Sequence, residues 1–359
     1  MNAIVIQLCK HDDYGVCNTL ETELCTPQKV EINRLIAGTP ENIKMLIDVF
    51  SPIITQYKPP LIFSSDETML QPNLKRKVFK KSSKQKLAIP DNLNLPHITA
   101  ACCCNIIGEK MRLFITLLSL VKLPQDLIDI SENGRAFFSS SNDGWQTRDT
   151  FLYFVICFIN WLSRYRLSLH KSLRKEKAIL IVDGHKSRKN PIAIKMLQEN
   201  NISLFVLPAH TSHVTQIFDL GIGSPMKKLF SKNFKLLMLN FYPENNQSAQ
   251  LRRFCVDSAI WAWEVKCNYK SCSKAAASTP TYPCNAEQLL RSHFVSVLSP
   301  QLQKIAKEKE KRRRKEKVNI NCKLINDETL YLINEMILEC RFHKHLSLDN
   351  YSEYNDETL

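Results

Sequence analysis

Two kinds of apolar pattern alternate along the chain. The short continuous runs are Leu61-Ile62-Phe63-Ser64-Ser65-Asp66, a strand ending in an acid; residues 178–182, followed by Asp183; and residues 202–207. Apolar runs of that length between polar segments fit strands covered on both faces. Residues 97–105 and 111–118 flank Gly108 and predict a hairpin. The longer stretches have helical character. Thr39-Pro40 reads as an N-cap with proline at the first helical position, opening a helix through residues 43–57. Residues 147–165 are apolar all round, which predicts a helix packed in a core. Residues 190–200 and 225–240 also fit helices, the second offering Met226, Leu229, Phe230, Leu236, Leu237 and Leu239 to the interior. Residues 208–218 between them read as a polar loop.

The order strand, hairpin, helix, strand, helix, strand, helix is an α/β pattern with a mixed sheet. It divides the chain into a helical lead-in over 1–58, a main domain over 59–295 and a charged helical tail over 296–359. The block at 307–317 reads equally as a solvated helix and as a nuclear import or DNA-touching tail. The longest apolar run, 151–162, is well short of the ~20 residues needed to span a bilayer, so no membrane segment is expected.

Charge narrows the choice of partner. Lys and Arg outnumber Asp and Glu by 49 to 35, and a net charge of +14 favours a polyanion such as DNA. The opening MNAIVIQL has no basic start and soon meets Lys10, His11, Asp12 and Asp13, unlike a secretory signal. The 13 cysteines are therefore expected to be free thiols in a reducing setting. Cys102, Cys103 and Cys104 alternate faces of one strand and cannot all meet one metal. Cys255, Cys267, Cys272 and Cys284 lack Cys-x-x-Cys spacing and also read as free.

Acids are scarce at the ends of apolar strands, because burying an unpaired carboxylate is costly. Asp66 and Asp183 hold such positions, at the sheet edge where α/β folds bind ligands. Asp219 lies 36 positions after Asp183, and one helix and one strand return the chain to the same edge. Three converging carboxylates repel one another unless cations sit among them, and hard oxygen ligands suit Mg²⁺. Two such ions about 4 Å apart can activate an attacking oxygen and stabilise a leaving one in phosphoryl displacement.

The stretch AILIVDGHKSRKNPIAIKMLQENNISLFVLPAHTSHVTQIFDLGIGSPMKKLF resembles the core of the DDE superfamily endonucleases. These include the pogo, Tigger and jerky-type transposases and their relative, centromere protein B. The residues that carry the likeness are Asp183-Gly184-His185, Leu207 to His213, Gln216-Ile217-Phe218-Asp219 and Gly221 to Lys227. Asp66-Glu67-Thr68 is similar to the family's first acidic motif, 139–145 to its insertion, and Tyr282-Pro283-Cys284-Asn285 to a late element. The resemblance implies an RNase H-like fold with helical extensions. It implies that Asp66, Asp183 and Asp219 are catalytic and bind two Mg²⁺ ions, with Mn²⁺ as a substitute. It also implies hydrolytic nicking of DNA and strand transfer at transposon ends, in the nucleus and by a homo-oligomer. Lys75, Arg76, Lys77, Lys80 and Lys81, in the basic stretch after Asp66, are candidates for phosphate contact, with His185, His210, His213 and Lys227.

Met69 stands where the family has glycine and Ile217 where it has proline, and no helix-turn-helix module is evident ahead of Asp66. These features support an alternative: a catalytically inactive, domesticated or decayed transposase derivative that binds DNA or chromatin. A further alternative is a zinc hydrolase using His185, His210 and His213 with Asp183 and Asp219. Trp145 reads as a core aromatic in preference to a base-stacking one.

Overall fold

The computed structural model describes residues 34, 37–72, 96–208, 211–241 and 246–279. The basic stretch with Lys75, Arg76, Lys77, Lys80 and Lys81 lies outside the described residues. So do His210, Tyr282-Pro283-Cys284-Asn285 and the charged tail.

The six strands are β1 (Ile62–Leu70), β2 (Ile98–Asn105), β3 (Phe114–Leu118), β4 (Phe137–Ser141), β5 (Ala178–Val182) and β6 (Ile202–Val206). They form one sheet in the order β4-β3-β2-β1-β5-β6. β1, β2 and β3 are antiparallel neighbours; β5 and β6 continue in parallel on the other side of β1. This is the RNase H-like arrangement, with β4 added in parallel at the outer edge of β3. The sequence reading missed β4, whose Phe-Phe-Ser-Ser-Ser carries no apolar alternation. Gly108, at φ +93°, makes the turn between β2 and β3.

Side chains of successive strand residues fall on opposite faces, and each face has its own core. One face buries Ile62, Ile98, Ala100, Cys102, Ile115, Ile179 and Ile181. It is covered by α1 (Pro40–Ile54), α6 (Gly223–Leu237), α7 (Gln247–Lys266) and α8 (Tyr269–Ala277). The other face buries Phe63, Ala101, Cys103, Phe114, Leu180 and Val182 beneath α3 (Arg148–Ser168) and α4 (Pro191–Glu199). Two short helices, α2 (Gln125–Glu132) and α5 (Ser212–Thr215), complete the set. α1 shares the main core: Phe50 meets Phe205 edge-on at 4.8 Å, and Tyr57 Oη donates to Ser203 Oγ at 2.8 Å. The helix read as part of a lead-in is thus built onto the sheet.

α3 is all-round apolar, as its sequence predicts, because it lies across a whole sheet face. Its Phe151, Phe154 and Phe158 are buried, and Phe63 of β1 sits edge-on to Phe158 at 5.3 Å and to Trp161 at 5.6 Å. Its start is a reciprocal cap: Thr150 N donates to Thr147 Oγ1 at 3.2 Å, and Thr147 N to Thr150 Oγ1 at 2.8 Å. Thr147→Ala should therefore lower stability by about 1 kcal/mol, read as a shift in urea midpoint at constant slope. An unchanged midpoint would show that tertiary packing alone fixes the helix start.

Three expectations are corrected by packing. The segment read as a polar loop contains α5 and leads into a π-helical turn, Phe218–Ile222, with Ile217, Phe218 and Ile222 buried. In α6 the interior residues are Met226, Phe230 and Phe234, while Leu236 and Leu239 are exposed. The helix ends at Leu237, and its buried face follows the 226-230-234 spacing. Trp145 is 48 % exposed, held out in a turn where its N–H donates to Asp143 Oδ1 at 3.0 Å.

Candidate active site

The fork between β1 and β5 builds the site. Their parallel pairing runs from Ile62↔Ile179 to Ser64↔Ile181 and stops. β1 does not stop there. It continues to Leu70, paired with β2 up to Leu70↔Ile98. Asp66 is therefore mid-strand, which corrects the expectation of a strand ending at the acid. It lies just past the point where β1 loses its parallel neighbour, and the same register carried two residues on sets it abreast of Asp183.

Side chains satisfy the backbone of β1 along this open flank. The Glu67 N–H donates to Asp66 Oδ1 at 2.9 Å, and Gln216 Nε2 donates to the Ser65 carbonyl at 3.4 Å. Gln216 is fully buried, and it ties the turn carrying Asp219 to the strand carrying Asp66.

Asp66, Asp183 and Asp219 line one cleft of about 1010 Å³. Burial pushes the Asp66 carboxyl well above the usual carboxylate range, and the charges of Asp219 and Asp183 push it further in the same direction. The same cleft is also lined by basic residues of α6: Lys227, Lys228, Lys232 and Lys235, with Ser224 and Ser231. Of these the sequence reading named Lys227 alone. The others follow from the helical spacing that turns Met226, Phe230 and Phe234 inward, which leaves the lysines on the cleft side.

Behind the acids stands a group that the sequence reading missed. Arg188 is 3 % exposed, and each nitrogen of its guanidinium has a polar partner. Its Nε donates to Asp183 Oδ1 at 2.9 Å, one terminal nitrogen pairs with Glu67 Oε1 and the other with Gln146 Oε1. Its charged carbon lies 5.0 Å from the centre of the Phe151 ring. Glu67 projects from the β1 face opposite Asp66. Burial raises its carboxyl pKa, with Arg188 pulling the other way. No periodicity marks Arg188, which sits in a short polar turn.

The histidines behave differently from the acids. His185 Nδ1 lies 2.8 Å from Ser187 Oγ and accepts from the Ser187 N–H, so it caps the turn that presents Arg188. His213 is half-buried in α5. Among the described residues, no histidine joins Asp183 and Asp219 in a compact ligand cluster. His210, the third histidine of the zinc set considered from sequence, lies outside the described residues, and by the same measure Asp66, Asp183 and Asp219 do not form such a cluster either.

Comparison with known proteins gives three findings. The family model for the DDE superfamily endonuclease matches residues 96–275, half of the chain. An MFS-type transporter, clz9, of Cochliobolus lunatus is 29 % identical over 98 residues, which make up 27 % of this chain and 10 % of that protein. The chain thus spans about a tenth of that relative's length, and among the described residues no helix is long and apolar enough to cross a membrane. Among solved structures, the catalytic domain of Mos1 mariner transposase is 12 % identical, covering 70 % of this chain and 97 % of that one at a TM-score of 0.36. The mariner Mos1 paired-end complex with Mg is 11 % identical, covering 71 % and 68 % at a TM-score of 0.38.

Proposed function

The chain belongs to the DDE superfamily of endonucleases, and on that premise we propose that it cuts and joins DNA strands at the cleft between β1, β5 and α6. The observation that carries this reading is the arrival of Asp66, Asp183 and Asp219 from three separate elements at one cleft faced by lysines.

The donor set fits divalent cations. Burial, and after it the charges of Asp219 and Asp183, pushes Asp66 upward, and all three acids are hard oxygen ligands. Asp66, Asp183 and Asp219 would hold two Mg²⁺ ions, with Mn²⁺ as a substitute. Such ions, when bound, lower the pKa of an attacking water or 3′-hydroxyl and neutralise charge on the departing oxygen. The chain's own groups do the rest. β1 and β5 hold two carboxylates at a fixed register. Arg188 anchors Asp183 by donating its Nε–H to Oδ1. Lys227, Lys228, Lys232 and Lys235 bind the phosphate backbone and align the scissile ester with the acids. Hydrolysis places water's oxygen on phosphorus and releases a 3′-hydroxyl; strand transfer repeats the displacement with that hydroxyl as nucleophile. A second protomer, binding the other DNA end, belongs to the same proposal.

The direct test is nicking of supercoiled DNA with Mg²⁺ or Mn²⁺, and with chelator. Metal-dependent nicks bearing 3′-hydroxyl ends are expected; an inert protein under all divalent conditions would leave a DNA-binding derivative as the better reading. Lys228→Ala with Lys232→Ala should weaken DNA binding uniformly across sequences and reduce the slope of log affinity against log salt by about 2. An unchanged slope would place the DNA elsewhere.

A further inference from the structure

Seven buried cysteines are free among the described residues, and three of them behave unlike the rest. Cys102, Cys103, Cys157 and Cys255 are set singly among core residues. Cys104, Cys267 and Cys272 converge from three elements: the end of β2, the C-cap of α7 and the interior of α8. The Sγ atoms of Cys267 and Cys272 are 3.6 Å apart, those of Cys272 and Cys104 are 3.9 Å apart, and all three lie within 4.8 Å of one another. Each residue is at most 1 % exposed. A disulfide would need about 2.05 Å. Thiolates sharing a tetrahedral Zn²⁺ at about 2.3 Å stand about 3.8 Å apart, so the three sulfurs already have the spacing of a common ligand set.

The surroundings support charge at this point. Lys110 Nζ, 18 % exposed, donates to the carbonyls of Cys267 and Glu264, each at 2.9 Å. The backbone is shaped for the convergence as well. A β-carbon on Gly108 would lie 2.3 Å from the Tyr269 nitrogen, so only glycine lets the start of α8 settle on the β2–β3 turn. That approach is what brings Cys272 to Cys104.

We propose that Cys104, Cys267 and Cys272 form a three-thiolate site for a soft d¹⁰ cation, Zn²⁺ or Cu⁺, separate from the carboxylate cleft. Thiolates select these ions over Mg²⁺ and Mn²⁺. Binding releases the thiol protons to solvent, and with Zn²⁺ the site keeps one negative charge beside Lys110. The bound cation joins the hairpin to the α7–α8 corner, so its effect is on stability.

The test uses the full chain, purified reduced and metal-free, with Mg²⁺ in excess to occupy the carboxylates. Zn²⁺ and Cu⁺ are titrated separately. One equivalent of one of them is expected to bind and to raise the melting temperature; the tighter of the two identifies the natural ion. Co²⁺ as a probe should give the intense near-ultraviolet band of sulfur-to-metal charge transfer, which oxygen ligands cannot give. The band should survive in Asp183→Ala and Cys255→Ser and be lost in Cys267→Ser with Cys272→Ser. Should the double variant not fold, Cys272→Ser alone decides, and it is expected to weaken or lose the band given by the first equivalent. Absence of that band, its persistence without Cys267 and Cys272, or a Cys267–Cys272 disulfide found by mass spectrometry would each overturn the proposal.

Discussion

Asp66→Asn should lose metal-dependent nicking by on the order of 10³-fold or more, yet melt at a higher temperature than the unmodified protein when both are metal-free at neutral pH. The first effect follows from deleting one of three charges around ions that contribute several kcal/mol of transition-state stabilisation. The second follows from the carboxyl's raised pKa. The unfolded chain releases this proton at the ordinary carboxylate value, whereas the folded chain keeps it to higher pH. Between those two values the folded state binds more protons, so stability falls as pH rises through the window, and the loss persists above it. Asparagine carries no charge and escapes the loss. The difference in melting temperature should vanish below the ordinary carboxylate range and grow with pH, and added Mg²⁺ should shrink it by stabilising only the unmodified protein. Melting curves over pH, with and without Mg²⁺, check this. Equal nicking by the variant, or a lower melting temperature at every pH, would remove Asp66 from the site.

The second large effect is at Arg188. Arg188→Ala should cost about 3–5 kcal/mol, because it strands the buried Glu67 and the adjoining Asp183 without their counter-charge. For a domain of this size that is a fall on the order of 10 °C in melting temperature. Arg188→Lys should recover little. An ammonium keeps the charge but cannot serve Asp183, Glu67 and Gln146 together, nor lie flat near Phe151. Calorimetry of both variants checks this. Losses below about 1 kcal/mol would put Arg188 in the class of surface ion pairs.

Much of this was legible in the residues. Apolar runs located β5 and β6, Thr39-Pro40 located α1, Asp183 stood out as an acid at the end of an apolar run, and Asp219 as the acid one helix and one strand further on. The extent of β1 was hidden, since Ser64, Ser65, Asp66, Glu67 and Thr68 carry no apolar alternation and their strand character comes from pairing with β2. β4 was hidden for the same reason. Arg188 and the three-cysteine cluster were illegible on principle. Their partners are 5 to 168 residues away, and no local spacing encodes that Cys104 meets Cys272 or that Arg188 meets Gln146. Leu236 and Leu239 erred the other way, as apolar residues exposed at the end of α6 and in the turn just after it.

The fork between β1 and β5 has a consequence for how this chain can vary. Neighbouring strands lie about 4.8 Å apart where they pair. Carboxylates mounted abreast where the strands part inherit that gauge from the peptide ladder itself. Insertions in the surrounding connections can therefore alter which DNA is admitted while the gap between Asp66 and Asp183 stays as the ladder set it.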